Sequence, residues 1–171
     1  SMADIVQSQD PILRGKAKSV PVKDIASEKI QKIISDMKEA VSTQKDGVAI
    51  AAPQIGIPLK IFLVSDSIMK EADAEYKSIG RDLVFINPTI MKLSKDKHEV
   101  EEGCLSVRWK YGKVKRSIKA TVKGYNELGE KIERGASGLL AQIFQHETDH
   151  LEGVLFIDKA KDIQDIPPSN E

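Results

Sequence analysis

A run of apolar residues at helical spacing between residues 137 and 152 constrains this chain most, because it contains the sequence HETDH at residues 146–150. Residues four apart on a helix share a face. The imidazoles of His146 and His150 can therefore reach one metal ion, while Glu147 projects beside them toward a water molecule. With Gly153 as a stop signal, the pattern predicts a central buried helix that carries two metal ligands and a general base. Two ordinary core or surface histidines are the alternative.

A catalytic metal site usually has three protein ligands and one open position, so the two histidines need a partner. The glutamates that follow them, Glu152 and Glu171, lie in the helix itself and at the terminus, which favours an upstream ligand. His98 lies in a strongly charged run that is typical of solvated surface. Cys104 lies where an apolar pattern resumes, near the core at a strand edge, and its thiolate is the favoured donor. A buried structural cysteine and an upstream carboxylate remain alternatives.

The rest of the chain predicts one further helix and several strands. Apolar residues at helical spacing between residues 27 and 44, after Ser27 as an N-cap, predict an amphipathic N-terminal helix. Strands are predicted for short β-branched runs at residues 48–51, 59–65 and 83–87, the last ending at Pro88, and a hairpin is predicted for residues 113–134 around NELG at 126–129. The order of elements predicts an α+β fold in which most strands pair in antiparallel fashion.

The domain organisation that follows is simple. No repeat or linker divides the chain, so one domain is predicted over residues 3–160. Residues 66–82 are polar and mixed, which predicts an irregular surface excursion. Residues 161–171 are predicted to form a frayed tail.

Composition argues against several functional classes. The chain has 26 basic and 26 acidic side chains, so it has no overall field that would recruit nucleic acid or an anionic membrane. The most apolar stretch, residues 47–64, is interrupted by Gln54, Lys60 and two prolines, which argues against a membrane span. A single cysteine excludes an intrachain disulfide and is typical of a reducing compartment. We therefore expect no direct binding to nucleic acids or membranes.

Three motifs together resemble those of peptide deformylases. GVAIAAPQ at residues 47–54 is similar to the family's glycine- and alanine-rich motif, EGCLS at 102–106 to its cysteine motif, and QHETDH at 145–150 to its histidine motif. Weaker similarities cover about residues 3–160. The resemblance implies antiparallel β-sheets packed around the helix that carries HETDH. It also implies a metal-dependent hydrolase that removes the formyl group from the N-terminal formylmethionine of newly made polypeptides and releases formate.

The resemblance further implies roles for individual residues. The metal ligands would be Cys104, His146 and His150. The ion would be Fe²⁺ in vivo, with Zn²⁺, Ni²⁺ or Co²⁺ able to take its place. Glu147 would be the general acid and base, while the side-chain amide of Gln54 and the backbone N–H of Leu105 would donate to the formyl oxygen. From the residues alone, Gln54 fits a tightly packed turn equally well.

Substrate contacts are predicted at Val48, Ala49, Val100, Gly103, Leu139 and Ile143. Leu139 and Ile143 precede the motif on the side of the helix that carries His146, and we expect them to line an apolar pocket for methionine. Val48 or Val100 would lie opposite, and core packing is the alternative for these four apolar residues. Two positions depart from the family's usual pattern, with Ala49 in place of glycine and Arg108 in place of proline.

The expected partners are N-formylmethionyl nascent peptides, with the ribosome near its exit tunnel as a further candidate. The expected location is the cytoplasm of a bacterial-type cell, or an organelle after loss of a transit peptide. Two other functions stay open. One is a thiol hydrolase that uses Cys104 as nucleophile with a histidine base, and the other is a non-catalytic, metal-stabilised binding domain.

Overall fold

A computed structural model describes residues 4–169, and this part of the chain forms two antiparallel sheets and three α-helices. The helices are α1 (Glu28–Ser42), α2 (Asp66–Ala72) and α3 (Gly138–Leu151). The strands are β1 (Ala49–Ala51), β2 (Ile61–Val64), β3 (Leu83–Leu93), β4 (Lys97–Gly103), β5 (Lys110–Ser117), β6 (Lys119–Tyr125), β7 (Lys131–Ser137) and β8 (Lys161–Asp165). One sheet has the order β1-β2-β3-β6-β7 and the other β4-β5-β8. The α+β class is confirmed.

Helix α1 forms as the sequence predicts. The hydroxyl of Ser27 accepts a hydrogen bond from the backbone N–H of Ile30 at 3.3 Å, which satisfies one free donor at the start of the helix. Its apolar face, including Ile34 and Met37, is buried in a cluster with residues of β2 and β3. The N-terminal helix therefore covers one face of the five-stranded sheet.

Helix α3 covers the opposite face and carries HETDH. It begins at Gly138 with φ +58 and is followed by Gly153 with φ +77, a left-handed conformation that suits glycine at a helix end. Phe144 packs against Phe62 and Phe85, with ring centroids 5.9 Å and 5.3 Å away. These contacts fix the helix against the sheet, and the predicted bounds of 137–152 agree with the observed helix.

Strand β3 does not end at Pro88, as the sequence predicted, but continues to Leu93. Proline lacks the N–H that a regular ladder requires, and the register between β3 and β6 shifts between Ile86 and Thr89. Asn87, at φ +54, instead exchanges two hydrogen bonds of 2.8 Å with the backbone of Val20. The irregularity accommodates the proline without ending the strand.

The predicted hairpin over residues 113–134 is wrong in its first half. Residues on either side of Ile118 belong to β5 and β6, which lie in different sheets, and only β6 and β7 form a hairpin around NELG. The side chain of Gln145 on α3 explains the break, because its amide bonds both the N–H and the C=O of Ser117 at 2.9 Å. A helix side chain thus binds the backbone where the chain passes from one sheet to the other.

Two segments are more ordered than predicted. Residues 66–72 form helix α2, and Asp66 at its start is buried, accepting hydrogen bonds of 2.8 Å from Tyr76 and Ser78. The expectation of a frayed tail from residue 161 is wrong for 161–165, which pair with β5 as strand β8. The first residue of the predicted domain, Ala3, and the final two of the tail lie outside the described residues.

Within residues 4–169, none of the helices combines the length and the apolar character needed to cross a membrane.

Replacing Asp66 by Ala should lower the free energy of unfolding by about 1–2 kcal/mol at neutral pH, because two hydroxyls lose a charged acceptor. Burial alone would raise the pKa of Asp66, but hydrogen bonds from Ser78 and Tyr76 lower it. The stabilisation is therefore complete above the unfolded-state pKa and is lost as the pH falls through the folded-state value. Urea unfolding at neutral pH and at about pH 3 measures this. Glu71→Ala, an exposed change on the same helix, is the control, and an equal stability loss at both pH values would contradict the prediction.

Candidate active site

Three side chains that could bind a metal ion converge where β4 ends against α3. Cys104 immediately follows β4, and His146 and His150 lie one turn apart on α3. One ligand atom from each of the three lies within 4.8 Å of the other two, and the Cys104 Sγ is 3.2 Å from the Nε2 of His150. The structure thus brings together the three donors that the sequence analysis favoured. His98, which was set aside, is exposed on β4.

The chemistry of this donor set fits a single divalent transition metal ion. One thiolate and two imidazoles are ligands that Zn²⁺ and Fe²⁺ accept, and three protein ligands leave a position open. The backbone N–H of Ser106 also donates to the Cys104 Sγ at 3.4 Å. These residues would hold the ion by their sulfur and ring nitrogens.

A buried carboxylate that sequence reasoning missed orients the first histidine. The Nδ1 of His146 donates to Glu102 at 2.7 Å, which leaves Nε2 free for a metal ion. Arg116 binds the same carboxylate with two hydrogen bonds of 2.7 Å and reaches Asp149 on α3 at 2.8 Å. Burial alone would raise the pKa of Glu102, but the hydrogen bonds from Arg116 and His146 lower it to about 2. Glu102 is therefore ionised at neutral pH.

Glu147 combines burial with an unpartnered oxygen. Its side chain is nearly inaccessible, and its Oε1 has no hydrogen-bond partner among residues 4–169. Its Oε2 lies 3.9 Å from the Nε2 of His146. Burial raises the pKa of Glu147 to about 7, although the neighbouring His146 charge lowers it. A carboxyl with a pKa near neutrality can both accept and return a proton.

Gln54 faces the metal ligands from the other side. It lies in a 3₁₀ turn (Ala52–Ile55) after β1, and its Oε1 accepts a hydrogen bond from the N–H of Ala51 at 2.9 Å. Because Oε1 accepts from a backbone N–H, the amide oxygen of Gln54 is on that side and its nitrogen is on the other. The Nε2 therefore donates to the Ser106 hydroxyl at 3.1 Å and to the Cys104 Sγ at 3.6 Å. The side-chain amide is thus held by the backbone with its N–H groups toward the site.

A cavity of about 250 Å³ opens beside these groups. Five of the six predicted substrate contacts line it: Val48, Ala49, Gly103, Leu139 and Ile143. Gln54, Leu105 and Glu147 also line it. Val100 is the exception, because it lies upstream in β4, opposite Val114 of β5, whereas the cavity borders the end of the strand. Val100 therefore does not line this cavity, whereas Val48 does.

Tyr111 is a cavity residue that the motifs did not reveal. Its ring lies so close to Gly103 that a Cβ at that position would be 2.6 Å from it. Gly103 therefore allows an aromatic ring to pack directly against the backbone at the cavity edge. The one feature of the sequence that could have indicated this packing is Gly103, the glycine before Cys104.

Replacing Glu102 by Gln should weaken metal binding by about 10- to 100-fold, because His146 loses a charged partner that fixes its orientation and raises its basicity. Competition against a chromophoric chelator measures the affinity, and thermal unfolding checks that the variant folds. The matched control is Glu99→Gln on the same strand, where an exposed ion pair with Lys161 contributes little. Equal affinities in the two variants would contradict the prediction.

Comparison with known proteins gives a consistent picture. The family model described as polypeptide deformylase matches residues 2–165. Peptide deformylase 1A of Arabidopsis thaliana, chloroplastic/mitochondrial, is 41% identical over 92% of this chain and 61% of its own length. Peptide deformylase 2 of Clostridium acetobutylicum is 40% identical over 92% of this chain and 95% of its own length. The crystal structure of peptide deformylase from Thermotoga maritima superposes with a TM-score of 0.81 at 35% identity, covering 94% of this chain and 99% of that one. The chain thus spans about three-fifths of the plant relative and nearly all of the bacterial ones.

Proposed function

Because the chain belongs to the polypeptide deformylase family, we propose that it removes the formyl group from the N-terminal formylmethionine of newly made polypeptides and releases formate. The observation that carries this proposal is the meeting of three donor atoms within 4.8 Å beside a cavity that Glu147 and Gln54 also line. Hydrolysis of a formamide needs an activated water, a stabilised oxyanion and a proton for the leaving amine. The chain offers a group for each.

We propose Cys104, His146 and His150 as ligands of one divalent ion, with Fe²⁺ as the native metal and Zn²⁺, Ni²⁺ or Co²⁺ as substitutes. When bound, such an ion supplies Lewis-acid chemistry, which polarises a carbonyl and makes water more acidic. Glu102 and Arg116 support the site by holding His146 in one orientation. All three proposed ligands lie on α3, which packs in the core, or directly after β4, which pairs with β5 along its whole length.

Glu147 would move the proton. It accepts a proton from the attacking water as the water oxygen adds to the formyl carbon. The same carboxyl then gives that proton to the amine nitrogen as the C–N bond breaks, leaving formate and a free N-terminus. A pKa near 7 supports both steps, because neither direction of transfer is then strongly uphill at neutral pH.

Gln54 and Leu105 would stabilise the oxyanion. Attack on the formyl carbon places negative charge on its oxygen, and donors already held in place stabilise that charge without reorganising. The Gln54 amide is pinned through its oxygen to Ala51, and its N–H groups face the site. The backbone N–H of Leu105, next to the cysteine ligand, would be the second donor.

The apolar lining of the cavity supports methionine as the side chain bound next to the formyl group. Leu139 and Ile143 lie on the α3 side and Val48 lies beside β1, so an unbranched thioether would contact aliphatic groups. Ala49 borders the same cavity and would limit how closely the substrate backbone approaches β1. These residues set the size of the side chain that fits.

Replacing Glu147 by Gln should lower kcat for formyl-Met-Ala-Ser by about 10²- to 10⁴-fold, because the proton acceptor is lost while the ligands remain. A coupled formate assay measures turnover, and metal analysis confirms loading. Glu152→Gln, an exposed change just after α3, is the matched control and should retain activity. A Glu147→Gln variant that works at the wild-type rate would contradict the assigned role.

Removing the metal should abolish formate release, and adding a divalent ion back should restore it. This separates the proposal from a thiol hydrolase, in which Cys104 would act as nucleophile and keep its activity without metal. A metal-stabilised binding domain would show no turnover in either state. Activity that survives complete metal removal, verified by elemental analysis, would favour the thiol mechanism.

If Fe²⁺ is the bound ion, dilute peroxide should inactivate the protein. We expect the iron form to lose activity faster than the zinc form, because Fe²⁺ can be oxidised as well as the thiolate, whereas Zn²⁺ cannot. Matched samples loaded with each metal are assayed for formate release over time. Equal lifetimes would count against iron-dependent lability.

The proposed function also implies a location. We propose that the protein acts where formylmethionine starts protein synthesis, in a bacterial cytoplasm or an organelle, with the ribosome near its exit tunnel as a candidate partner.

A further inference from the structure

The N-terminal segment reaches the backbone beside both oxyanion donors. The N–H of Val6 donates to the C=O of Gln54 at 2.8 Å. The side chain of the next residue, Gln7, contacts the segment after the cysteine ligand, 98 residues away in sequence. Adjacent residues of one segment thus contact the two places where donors to the formyl oxygen lie.

The contacts of Gln7 span the whole turn that follows Cys104. Its Nε2 donates to the C=O of Leu105 at 3.0 Å, and its Oε1 accepts from the N–H of Arg108 at 3.3 Å. The turn has its own hydrogen bond from the N–H of Val107 to the C=O of Cys104 at 3.0 Å. One amide therefore closes the turn across Leu105 and Arg108 and uses both its donor and its acceptor.

Arg108 holds the same turn from the other side. Its guanidinium donates to Asp46 at 2.7 Å and to Gln44 at 2.9 Å, in the segment that leads into β1. Its side chain also lies over the Trp109 ring, with Cζ 4.2 Å from the centroid. The turn that carries Leu105 is thus tied both to the N-terminal segment and to the segment that leads into β1.

We propose that Gln7 is a positioning residue that holds the Leu105 turn so that the Leu105 N–H points at the formyl oxygen. This inference rests on the proposed role of the Leu105 amide. An oxyanion donor acts over a narrow range of about 2.7–3.1 Å, and a displacement of about 1 Å can cost a hundredfold in rate. A turn outside regular secondary structure needs such external support, because strand partners do not fix its carbonyls.

The test compares Gln7→Ala with Gln9→Ala. Gln9 has the same side chain, lies in the same segment and is exposed. In Gln7→Ala we expect kcat for formyl-Met-Ala-Ser to fall about 5- to 50-fold with KM within about twofold, because the donor acts mainly in the transition state. Gln9→Ala should match the wild type. Gln7→Glu, a variant of equal size that cannot donate to the Leu105 C=O when ionised, should fall similarly and covers the case in which Gln7→Ala does not fold.

Hydrogen–deuterium exchange supplies a readout independent of turnover. The peptide covering residues 104–109 should exchange faster in Gln7→Ala than in the wild type or in Gln9→Ala, at an unchanged metal content and a similar melting temperature. Unchanged exchange would overturn the inference, because Gln7 would not be holding the turn. Faster exchange with wild-type kcat would overturn it too, because the turn's position would not matter for the reaction. Wild-type protein that releases no formate would instead refute the proposed function, and with it any role for the turn in that reaction.

Discussion

The buried carboxylate of Glu102 is the contact on which the site depends, because it joins the two elements that carry the proposed metal ligands. Glu102 lies two residues before Cys104 on β4, and its partners are Arg116 on β5 and His146 on α3. Removing one partner of such a buried pair leaves an uncompensated charge and typically costs about 3–5 kcal/mol. The geometry between the sulfur and the two rings is therefore set by an electrostatic contact as well as by apolar packing.

The same burial sets the acid–base properties of the site. Arg116 keeps Glu102 ionised, so a fixed negative charge lies against the Nδ1 of His146. Glu147 has no such partner, and burial therefore raises its pKa to about 7. Two carboxyl groups in one small region thus differ in pKa because one has a guanidinium beside it and the other does not. This separates a structural carboxylate from one that can transfer protons.

The sequence predicted the elements that depend on local periodicity. It did not predict the features that depend on contacts with residues distant in sequence. Helices α1 and α3 follow from the spacing of apolar residues and from the residues typical of helix ends. The predicted helix α3 in turn identified His146 and His150 as a pair on one face. Strand β4 went unpredicted because its charged residues face solvent and other charges, such as Lys161 against Glu99. The break at Ile118 depends on Gln145 of α3. Glu102 lies in the EGCLS motif, but its pairing with Arg116 could not be predicted, because a carboxylate that is paired in the fold cannot be told in the sequence from an ordinary surface charge.

The residues that would bind the metal and those that would stabilise the oxyanion are supported in different ways. Two proposed ligands lie on a helix packed by aromatic rings, and the third directly follows β4, whose Glu102 is hydrogen-bonded to His146 of that helix. Gln54 and Leu105 lie in turns, where backbone groups lack ladder partners. Side-chain contacts between distant segments support these turns in place of strand pairing. Gln7 and Arg108 hold the turn around Leu105, and Ser106 binds the side chain of Gln54. Since each of these contacts joins segments distant in sequence, the positions of the donors depend on tertiary structure, whereas the placement of the two histidines on one helix face follows from local structure.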